Sequence, residues 1–457
     1  MSALPAGWVM TCIADIALFN PKTIAEDSLK AAFAPMQFLG TRYRDRMAFE
    51  ERPWGEIKKA YVHFQPRDVI VAKVTPCFEN GKAGVAPPLP NSIGAGSSEF
   101  CVFRPAQGVD ERYLLAWLST EDFRRRATVA MTGSVGLKRV PKEVFLSEQI
   151  PLAPEAEQKR IADKLDTVLT RVDAVNTRLA RVAPLLKRFR QSVLAAATSG
   201  RLTEDWRRTS GLSSPWPWVL LGEVARDFSY GSAAKSSPVG QVPVLRMGNI
   251  QEGALDWSDL VFTSDPAEIA KYRLQDGDVL FNRTNSPELV GKTAVFRGER
   301  EAIYAGYLIR VRCSSDLLPD YLNYCLGSPA GKHYCWQVKS DGVSQSNINA
   351  KKLAAFSFGL PSLDEQTEIV RRVETLFAFA DRLEARLAQA QTAATRLTPA
   401  LLANAFRGEL VPQDPNDEPA AELLRRLQAQ RATGAPASKT GAGRGAGPHG
   451  GGCACGD

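Results

Sequence analysis

Apolar residues recur at alternating intervals of four and three positions in two stretches of the chain, one starting at Ile161 and one at Ile369. This spacing keeps an apolar seam on one side of an α-helix, and the charged side chains around it are typical of a coiled coil. A single amphipathic helix packed on its own domain would show the same spacing, but the matched register of the two stretches favours a pair. The predicted seam residues are Ile161, Leu165, Val168, Val172, Val175, Leu179, Val182, Ile369, Val373, Leu376, Ala380, Leu383, Leu387 and Ala390.

The two seams belong to a repeat that runs through most of the chain. Each seam residue of the first stretch has its counterpart 208 positions later, as do Glu157–Gln158 and Gly200–Leu202, and the motifs up to residue 85 recur 210 positions later. A long repeat of this kind predicts two copies of one unit, each a globular region followed by a helix. The repeated motifs are DVIV (68–71) with DVLF (278–281), GKAGV (81–85) with GKTAV (291–295), Glu157–Gln158 with Glu365–Gln366, Gly200–Leu202 with Gly408–Leu410, and Trp8–Val9 with Trp218–Val219.

The globular regions combine short strand-like and helical patterns. Apolar runs such as DVIVAKV and YLIRVR stand between Gly, Pro and Asn clusters, which indicates short strands. The segments 113–120 and 321–328 have helical patterns. The sequence therefore predicts an α+β fold with two tandem globular domains separated by two long helices.

Proline and glycine mark the ends of the helical regions. Pro184 and Pro399 are expected to interrupt the seam helices, because proline suits the first turn of a new helix and breaks an old one. Gly200 and Gly408 are expected to cap the segments that follow. The tail is rich in glycine and is expected to be disordered from about residue 433. The predicted segments are 1–153 (first globular domain), 154–198 (first helix region), 199–214 (linker), 215–361 (second globular domain), 362–411 (second helix region) and 412–457 (C-terminal extension).

Two similar helices that each follow their own domain pack most simply side by side in opposite directions. The predicted arrangement is therefore an antiparallel coiled coil. It turns the internal repeat into a pseudo-twofold arrangement, with one globular domain at each end of the coiled coil.

Composition excludes several classes of protein. The chain has 457 residues, of which 44% are hydrophobic and 23% charged, and it contains no apolar run of the ~18 residues that a membrane span needs. Its N-terminal segment lacks the basic start and the continuous apolar stretch of a secretory signal, so a cytoplasmic protein is expected. The net charge of +7 is compatible with a nucleic-acid partner but does not establish one.

Motifs of catalysis and metal binding are sparse. The eight cysteines form no CxxC pair and there are three histidines, so neither a disulfide framework nor a zinc site is expected. Cys453 and Cys455, the one close pair, are expected to be spare thiols in the tail. The segment 291–293 (GKT) resembles the end of a P-loop, but position 286 is a serine where that motif needs glycine. We therefore expect no catalytic and no metal-binding residue in this chain.

Side chains suited to nucleic acid are better represented. Arginine and lysine bind phosphates, arginine also reads guanine, and asparagine and glutamine read adenine. Two loops at equivalent places, 133–139 and 342–349, are rich in polar residues. A single basic cluster is also typical of a solvated surface, so its role stays open at this point. The basic clusters are Arg42, Arg44 and Arg46 around Tyr43, then Arg124, Arg125 and Arg126, then Lys138 and Arg139, and finally Lys351 and Lys352.

The order of these parts resembles one protein family. A globular region, a seam helix followed by SVLAAATSGRLT, a second globular region, and a seam helix followed by ALLANAFRGELVPQDPNDEP are together similar to the specificity subunits of type I restriction–modification systems, the HsdS family. The most specific pieces are 191–203, 407–419 and the two hairpins FQPRDVIVAKVTPCFENGKAGVA and LQDGDVLFNRTNSPELVGKTAVF. The resemblance covers the chain except its glycine-rich tail.

The resemblance implies DNA recognition without catalysis. Such subunits carry two target recognition domains, each reading one half of a split site in double-stranded DNA. Their helices set the spacing and dock two methyltransferase subunits, and restriction motor-nuclease subunits then join. The resemblance places S-adenosylmethionine, ATP and magnesium in the partner subunits and no cofactor in this chain. Because the two domains differ in sequence outside their shared frame, the DNA site should be asymmetric.

The candidates for DNA contact are polar residues in the loops of the two domains, and a structural or phosphate-contacting role is as compatible with each of them as base reading. Two alternatives stay open: a specificity subunit of a methylation-only system, and a coiled-coil scaffold that links two protein-binding domains. A fused enzyme would need a methyltransferase or nuclease motif, and the sequence shows none. The candidate residues are Lys73, Thr75, Asn80, Lys82, Lys138, Arg139, Arg246, Asn249, Arg283, Asn285, Lys292, Gln345 and Asn347.

Overall fold

The computed structural model describes residues 4–134, 136–211, 214–343 and 345–434. The chain divides into two compact units, one of Met1–Thr177 with Thr392–Asp457 and one of Arg178–Gln391. Each unit contains one globular domain and parts of both long helices. The predicted α+β class with two tandem domains and two long helices is confirmed.

The first domain contains two four-stranded sheets. Its strands are β1 (Val9–Cys12), β2 (Ala17–Phe19), β3 (Lys30–Ala34), β4 (Glu50–Pro53), β5 (Val62–Phe64), β6 (Val69–Ala72), β7 (Ala83–Val85), β8 (Gly94–Gly96), β9 (Phe100–Pro105), β10 (Thr132–Ser134), β11 (Leu137–Arg139) and β12 (Gln149–Leu152). Its helices are α1 (Ile13–Ile16), α2 (Trp54–Ile57), α3 (Glu111–Leu118), α4 (Glu121–Val129) and α5 (Lys142–Leu146). The sheet orders are β2-β9-β6-β7 and β4-β3-β8-β5.

Strand β6 is buried on both faces, which explains its unbroken apolar sequence. Val69 and Val71 belong to the core that contains Tyr113 of α3, whereas Ile70 belongs to the core that contains Phe64 of β5. Successive side chains of a strand point to opposite faces, so an all-apolar strand indicates a core on each side. β6 thus fixes the position of the loop that follows it.

Helix α6 (Glu155–Thr198) follows the first domain and is continuous through Pro184. The predicted interruption at Pro184 is wrong. Proline removes a backbone N–H and weakens a helix locally, but packing holds the residues beyond it, because Leu186 is buried and Val193 lies in the core of the second unit. The segment predicted as a linker contains the short helix α7 (Glu204–Thr209).

The second domain repeats the plan of the first. Its strands are β13 (Trp218–Leu220), β14 (Ala225–Tyr230), β15 (Val242–Leu245), β16 (Ile250–Gln251), β17 (Ala254–Leu255), β18 (Val261–Thr263), β19 (Val279–Asn282), β20 (Thr284–Asn285), β21 (Thr293–Val295), β22 (Ile303–Tyr304), β23 (Leu308–Cys313), β24 (Ser340–Asp341), β25 (Ser346–Asn347) and β26 (Ser357–Gly359). Its helices are α8 (Leu221–Val224), α9 (Pro266–Tyr272), α10 (Pro319–Gly327), α11 (Pro329–Val338) and α12 (Ala350–Ala354).

Strand order shows the repeat directly. The sheet β14-β23-β19-β21 has the order of β2-β9-β6-β7, and β15 pairs antiparallel with β18 and parallel with β22, as β3 does with β4 and β8. The two loops that follow the central strands β6 and β19 therefore stand at the same place in their domains.

Helix α13 (Leu363–Phe406) follows the second domain and is continuous through Pro399. The predicted interruption at Pro399 is wrong for the same reason as at Pro184, because Leu402 and Phe406 beyond it pack into the core of the first unit. At both prolines, the packing of the residues beyond them outweighs the tendency of proline to end a helix.

Within each unit the two long helices run in opposite directions. In the first unit, Ile161 near the start of α6 shares a core with Phe406 at the end of α13. In the second unit, Ala197 near the end of α6 shares a core with Ile369 near the start of α13. The predicted antiparallel pairing is confirmed.

The predicted seam residues are buried to different degrees. Val175 is 43% exposed and Ala390 is also exposed, so their assignment to the seam is wrong. Leu169 is 3% exposed although it was not assigned to the seam. A straight helix drifts by about 20° per heptad, which moves the buried stripe off a strict seven-residue pattern. The buried seam residues are Ile161, Leu165, Val172, Ile369, Val373 and Ala380, and the half-buried ones are Val168, Leu179, Val182, Leu376, Leu383 and Leu387.

A tryptophan–glutamate hydrogen bond ties each domain to the helix that follows it, and the glutamate of each pair is buried. Trp8 Nε1 donates to Glu157 Oε2, and Trp216 Nε1 donates to Glu365 Oε2, each over 2.9 Å. Trp216 is thus the counterpart of Trp8 at the 208-residue offset. The sequence-based pairing of Trp8 with Trp218 is wrong, since the Trp218 side chain is 76% exposed.

The two buried carboxylates differ at their other oxygen. Glu365 Oε1 accepts a hydrogen bond from Thr203 Oγ1 over 2.6 Å. Glu157 Oε1 is buried and has no hydrogen-bond partner among the described residues. Burial raises the pKa of Glu157 above its ordinary value of 4.5. The repeat places Val411 where Thr203 stands in the other copy, which leaves Glu157 without a hydroxyl donor.

We expect Val411→Thr to stabilise the first unit by about 1 kcal/mol and Thr203→Val to destabilise the second by about 1–3 kcal/mol. A raised folded pKa means that Glu157 costs stability as the pH rises from about 4.5 through its folded value. The gain from Val411→Thr should therefore be larger at neutral pH than at about pH 4. Thermal unfolding at both pH values measures this, and a gain of equal size at both would contradict the assignment.

The C-terminal extension contains helix α14 (Ala420–Gly434), which the sequence did not predict. Leu423 and Leu427 lie in the core of the first unit, and the Ala420 N–H donates to the Gly7 carbonyl over 2.8 Å. The predicted disorder and the pair Cys453 and Cys455 fall on residues 435–457, outside the described residues.

Candidate nucleic-acid interface

In the first domain, the loop that follows β6 lies against the hairpin of β10 and β11. The Thr75 N–H donates to the Lys138 carbonyl, and the Val140 N–H donates to the Lys73 carbonyl, each over 2.9 Å. Val74 forms an antiparallel bridge with Arg139. This pairing brings four of the predicted DNA-contacting residues together beyond the end of the central strand.

The side chains of this surface differ in what they already bind. Arg139 donates two hydrogen bonds to the Glu99 carboxylate, over 2.9 and 2.7 Å, and this contact lowers the pKa of Glu99. Lys73 Nζ donates to the Ser98 carbonyl over 2.9 Å. Lys138 is exposed, and within the described residues its side chain has no hydrogen-bond partner. Arg139 therefore holds the hairpin, and Lys138 extends from it.

The rest of the first loop turns back toward the domain. Thr75 Oγ1 donates to Glu79 Oε1 over 3.2 Å, and Lys82 Nζ donates to the Met36 carbonyl over 2.8 Å. Asn80 is exposed between them. Of these three predicted residues, Asn80 has the side chain that is most open to a ligand.

In the second domain, the loop after β19 pairs with the segment 345–348 in the same way. Strand β20 pairs with β25, which pairs with β24, and the Ile348 N–H donates to the Arg283 carbonyl over 2.9 Å. Asn347 Nδ2 donates to Thr284 Oγ1 over 2.7 Å. The repeat thus brings together Arg283, Asn285, Gln345 and Asn347, all of which the sequence singles out.

The second surface presents different groups from the first. The Arg283 guanidinium lies over the Tyr230 ring, 4.7 Å from its centroid, and donates to the Gly306 carbonyl over 3.3 Å. Asn285 is half-buried, and its Oδ1 accepts from the Ser286 N–H over 2.8 Å. Gln345 is exposed. An arginine plane and amide groups are suited to guanine and adenine edges, respectively.

The side chains of three other predicted residues of the second domain are engaged outside this strand pairing. Asn249 is 2% exposed, and its side chain bonds the Arg246 N–H over 2.8 Å and the carbonyls of Asp256 and Asp259 over 2.9 and 2.8 Å. Its prediction as a base-contacting residue is wrong, because its amide is used inside a turn. Arg246 pairs with Asp259 over 3.0 Å, and Lys292 Nζ donates to Gln251 Oε1 over 2.9 Å.

Sequence reasoning missed two residues, Tyr230 at the end of β14 and Asn282 at the end of β19. Tyr230 supports Arg283 and accepts a hydrogen bond from the Ala350 N–H over 2.9 Å. Asn282 is fully buried, and neither polar atom of its side chain has a partner among the described residues. The signal for Asn282 was available in the repeat, because its counterpart 210 positions earlier is the apolar Ala72.

Two physical features of the described residues bear on the kind of site. The described residues contain no group of three or more His, Cys, Asp or Glu side chains placed to hold a metal ion. No helix among them is long and apolar enough to cross a membrane.

The model of the type I restriction modification DNA specificity domain matches this chain twice, over residues 5–183 and 216–391. The chain belongs to this family. The two matched regions each cover one globular domain and a part of the helix after it, so the family's repeating unit is the repeat found in the sequence and in the strand order.

Curated members of the family match over most of their length. The EcoKI specificity subunit of Escherichia coli K12 is 32% identical over 80% of this chain and 82% of its own length. The StySPI specificity subunit of Salmonella potsdam is 33% identical over 80% of this chain and 81% of its own length. Both relatives are named as specificity subunits of type I restriction enzymes.

Two solved structures share the fold. A chain from work on complex assembly and conformational transition of the type I R-M system aligns with a TM-score of 0.71 at 21% identity, covering 90% of this chain and 100% of that chain. The HsdS subunit from Thermoanaerobacter tengcongensis aligns with a TM-score of 0.59 at 22% identity, covering 89% and 98%.

Proposed function

We propose that this chain is the DNA-binding specificity subunit of a type I restriction–modification complex, and that each globular domain reads one half of a bipartite, asymmetric site. The observation that carries the proposal is the pair of equivalent loop-and-hairpin surfaces after β6 and β19. Their backbone frames correspond, but the first presents Lys138 and Asn80, whereas the second carries Arg283, Asn347 and Gln345. Different donor and acceptor groups on one frame select different bases, which supports two unlike half-sites.

The helices α6 and α13 dock two methyltransferase subunits in this proposal. Large apolar side chains on these helices are between 41% and 52% exposed, whereas surface positions of a helix are ordinarily polar. Exposed apolar groups on a charged surface favour association with another protein. These residues are Val175, Leu185, Leu363, Phe379 and Leu397.

Catalysis belongs to the partner subunits in the same proposal. The methyltransferase subunits bind S-adenosylmethionine, the motor-nuclease subunits use ATP and magnesium, and this chain contributes recognition and spacing in the cytoplasm. The family membership of the chain supports this division of roles, because its relatives are named as specificity subunits.

The proposal is tested by selecting binding sites from random duplex DNA with the complex of this chain and its methyltransferase subunit. We expect one split sequence with two different halves and an unread spacer between them. If the complex assembles but retains no preferred sequence, the chain is a coiled-coil scaffold and the proposal fails. Adding the motor-nuclease subunit with ATP then separates a restriction system, which cleaves DNA, from a methylation-only system, which does not.

We expect Gln345→Ala to weaken recognition of one base in the second half-site alone. Gln345 is exposed beside β25, and loss of a paired amide contact to a base costs about 1–3 kcal/mol, or roughly 5- to 150-fold in discrimination. The dissociation constants for the selected site and for its single-base variants measure this. Gln337→Ala, an exposed glutamine on α11, is the matched control and should leave discrimination unchanged. Equal effects on both half-sites would contradict the assignment.

A further inference from the structure

A cavity with a basic lining, the basic notch, lies beside residues 73–82, the loop between β6 and β7 that forms the recognition loop of the first domain. It is a cavity of about 470 Å³ within the first unit, formed by the segment 41–44, the turn at Gly81, helix α4 and the two long helices. Its charged lining carries more basic than acidic groups. The charged residues are Arg42, Arg44, Arg124, Glu121 and Asp173.

Two of these arginines have no acidic partner among the residues that the structure describes. Arg44 lies 3.7 Å from Asp173 and 4.0 Å from Asp166. Within the part of the chain that the structure describes, neither Arg42 nor Arg124 has a carboxylate oxygen within 4.0 Å. Two guanidinium groups thus remain available to an anion that enters the notch.

The turn of the recognition loop at Gly81 leaves room for the guanidinium group of Arg124. Gly81 has a φ of 76°, and a Cβ at this position would lie 2.4 Å from an Nη atom of Arg124. The Arg124 guanidinium therefore crosses the turn at a place where any side chain on residue 81 would displace it. Glycine meets two requirements here, the left-handed backbone and the close approach of a cation.

The second domain carries positive charge at the corresponding place. The repeat matches Lys332 to Arg124 at the 208-residue offset and Gly291, with a φ of 90°, to Gly81 at the 210-residue offset. Lys332 is near enough to Lys187 and Lys292 to interact with their charges, and Glu252 is the acidic group beside it. Lys332 is exposed on α11. Partial desolvation, together with those two lysines, lowers its pKa. Three lysines around one glutamate leave an excess of positive charge.

We propose that these two places each hold a phosphate of the DNA backbone, with Arg124 as the principal contact in the first domain and Lys332 in the second. The inference rests on the proposed function and adds positioning contacts to it. Thr75 and Gly81 are six residues apart in one loop, so at most about 20 Å separates them. A phosphate at the turn would then belong to the same ~34 Å helical turn of DNA as the bases that the loop meets.

The lining favours a phosphate over an acidic protein segment. Asn176, Thr395 and Thr398 contribute amide and hydroxyl donors beside the two available guanidinium groups. Phosphate oxygens accept bonds from this set of donors, and arginine binds them with two parallel hydrogen bonds. The core of a protein-docking surface would instead be depleted of charged groups and rich in aromatic side chains.

The test is the salt dependence of DNA binding by the complex of the full chain with its methyltransferase subunit. Arg124→Gln and Lys332→Gln should each bind the selected site roughly tenfold more weakly at low salt, and each should lower the slope of log K against log salt by about 1. The selected sequence should stay the same. Arg42→Gln is a second variant of the first notch, and we expect a change in the same direction.

Two exposed arginines with acidic partners are matched controls. Arg125 pairs with Asp122 over 2.9 Å on the same helix as Arg124, and Arg273 pairs with Glu301 over 3.1 Å in the second domain. Arg125→Gln and Arg273→Gln should keep the wild-type slope. Thermal unfolding of every variant establishes that the comparison is made between folded proteins.

Three outcomes would overturn the inference. Wild-type slopes in Arg124→Gln, Arg42→Gln and Lys332→Gln would show that no phosphate is bound at these places. A changed selected sequence would make the residues base-reading. Loss of methyltransferase assembly with an unchanged slope would make the notch a protein-docking surface. In all three cases the wild-type complex still selects a split sequence, whereas failure of the proposed function removes that selection in the wild type itself.

Discussion

Replacing residues 1–153 with the first globular domain of another family member is expected to change one half of the methylated DNA sequence and to leave the other half unchanged. Each domain carries its own sheets and its own loop-and-hairpin surface, and the cores of the two domains belong to separate compact units. The contacts that select bases in one half-site are therefore independent of those in the other. Sequencing of methyladenine in the host DNA gives both halves in one experiment.

The replaced domain must still fit the helices that complete its core. The Phe406 ring lies 5.0 Å from Tyr113 and 4.9 Å from Trp117, and Leu423 Cδ1 lies 2.6 Å from where a Cβ on Gly108 would stand. A donor domain with a large residue in place of Gly108 should therefore fold poorly in this chain.

The reciprocal replacement of residues 215–361 is the matched control, and it should change the other half of the sequence only. A change of both halves from either replacement would contradict independent reading by the two domains.

Phe406→Ala is expected to destabilise the first unit by about 3–5 kcal/mol, because it removes a buried ring from between two aromatic neighbours. Phe406 is 9% exposed and joins the end of α13 to the core of the first domain. For a unit of this size each kcal/mol lowers the melting temperature by about 2–4 °C, so a loss on the order of 10 °C is expected. Thermal unfolding followed by circular dichroism measures it.

Phe379→Ala on the same helix is the matched control. Its side chain is 48% exposed, so truncation should change the free energy of unfolding of the isolated chain by less than about 0.5 kcal/mol. Equal shifts for the two variants would mean that α13 does not complete the core of the first unit as the structure shows.

The repeat made much of the fold predictable from sequence. Matching motifs after β6 and β19 located two equivalent domains, and the apolar seam located both long helices. Predictions from local sequence were wrong where contacts between residues far apart in the sequence determine the structure. Pro184 and Pro399 lie inside continuous helices because the residues beyond them are buried. Helix α14 depends on contacts with residues near the other end of the chain, which no local pattern displays.

The candidate site was predictable at the level of loops and less so at the level of side chains. Lys138 and Gln345 are exposed on the paired segments, which fits a ligand-facing role. Asn249 looked equally polar in the sequence, yet its amide closes a buried turn. Whether an asparagine meets a ligand or its own backbone is set by the local fold, because both uses satisfy the same hydrogen-bonding groups.

The central claim is that two unlike domains of one chain read two unlike halves of a DNA site. The most direct measurement is the methylome of a methylation-free host that expresses this chain with its methyltransferase subunit. The account predicts one split, asymmetric sequence, methylated on adenine in both strands, with a spacer of fixed length. An uninterrupted or symmetric sequence, or no methylated sequence from an assembled complex, would contradict it.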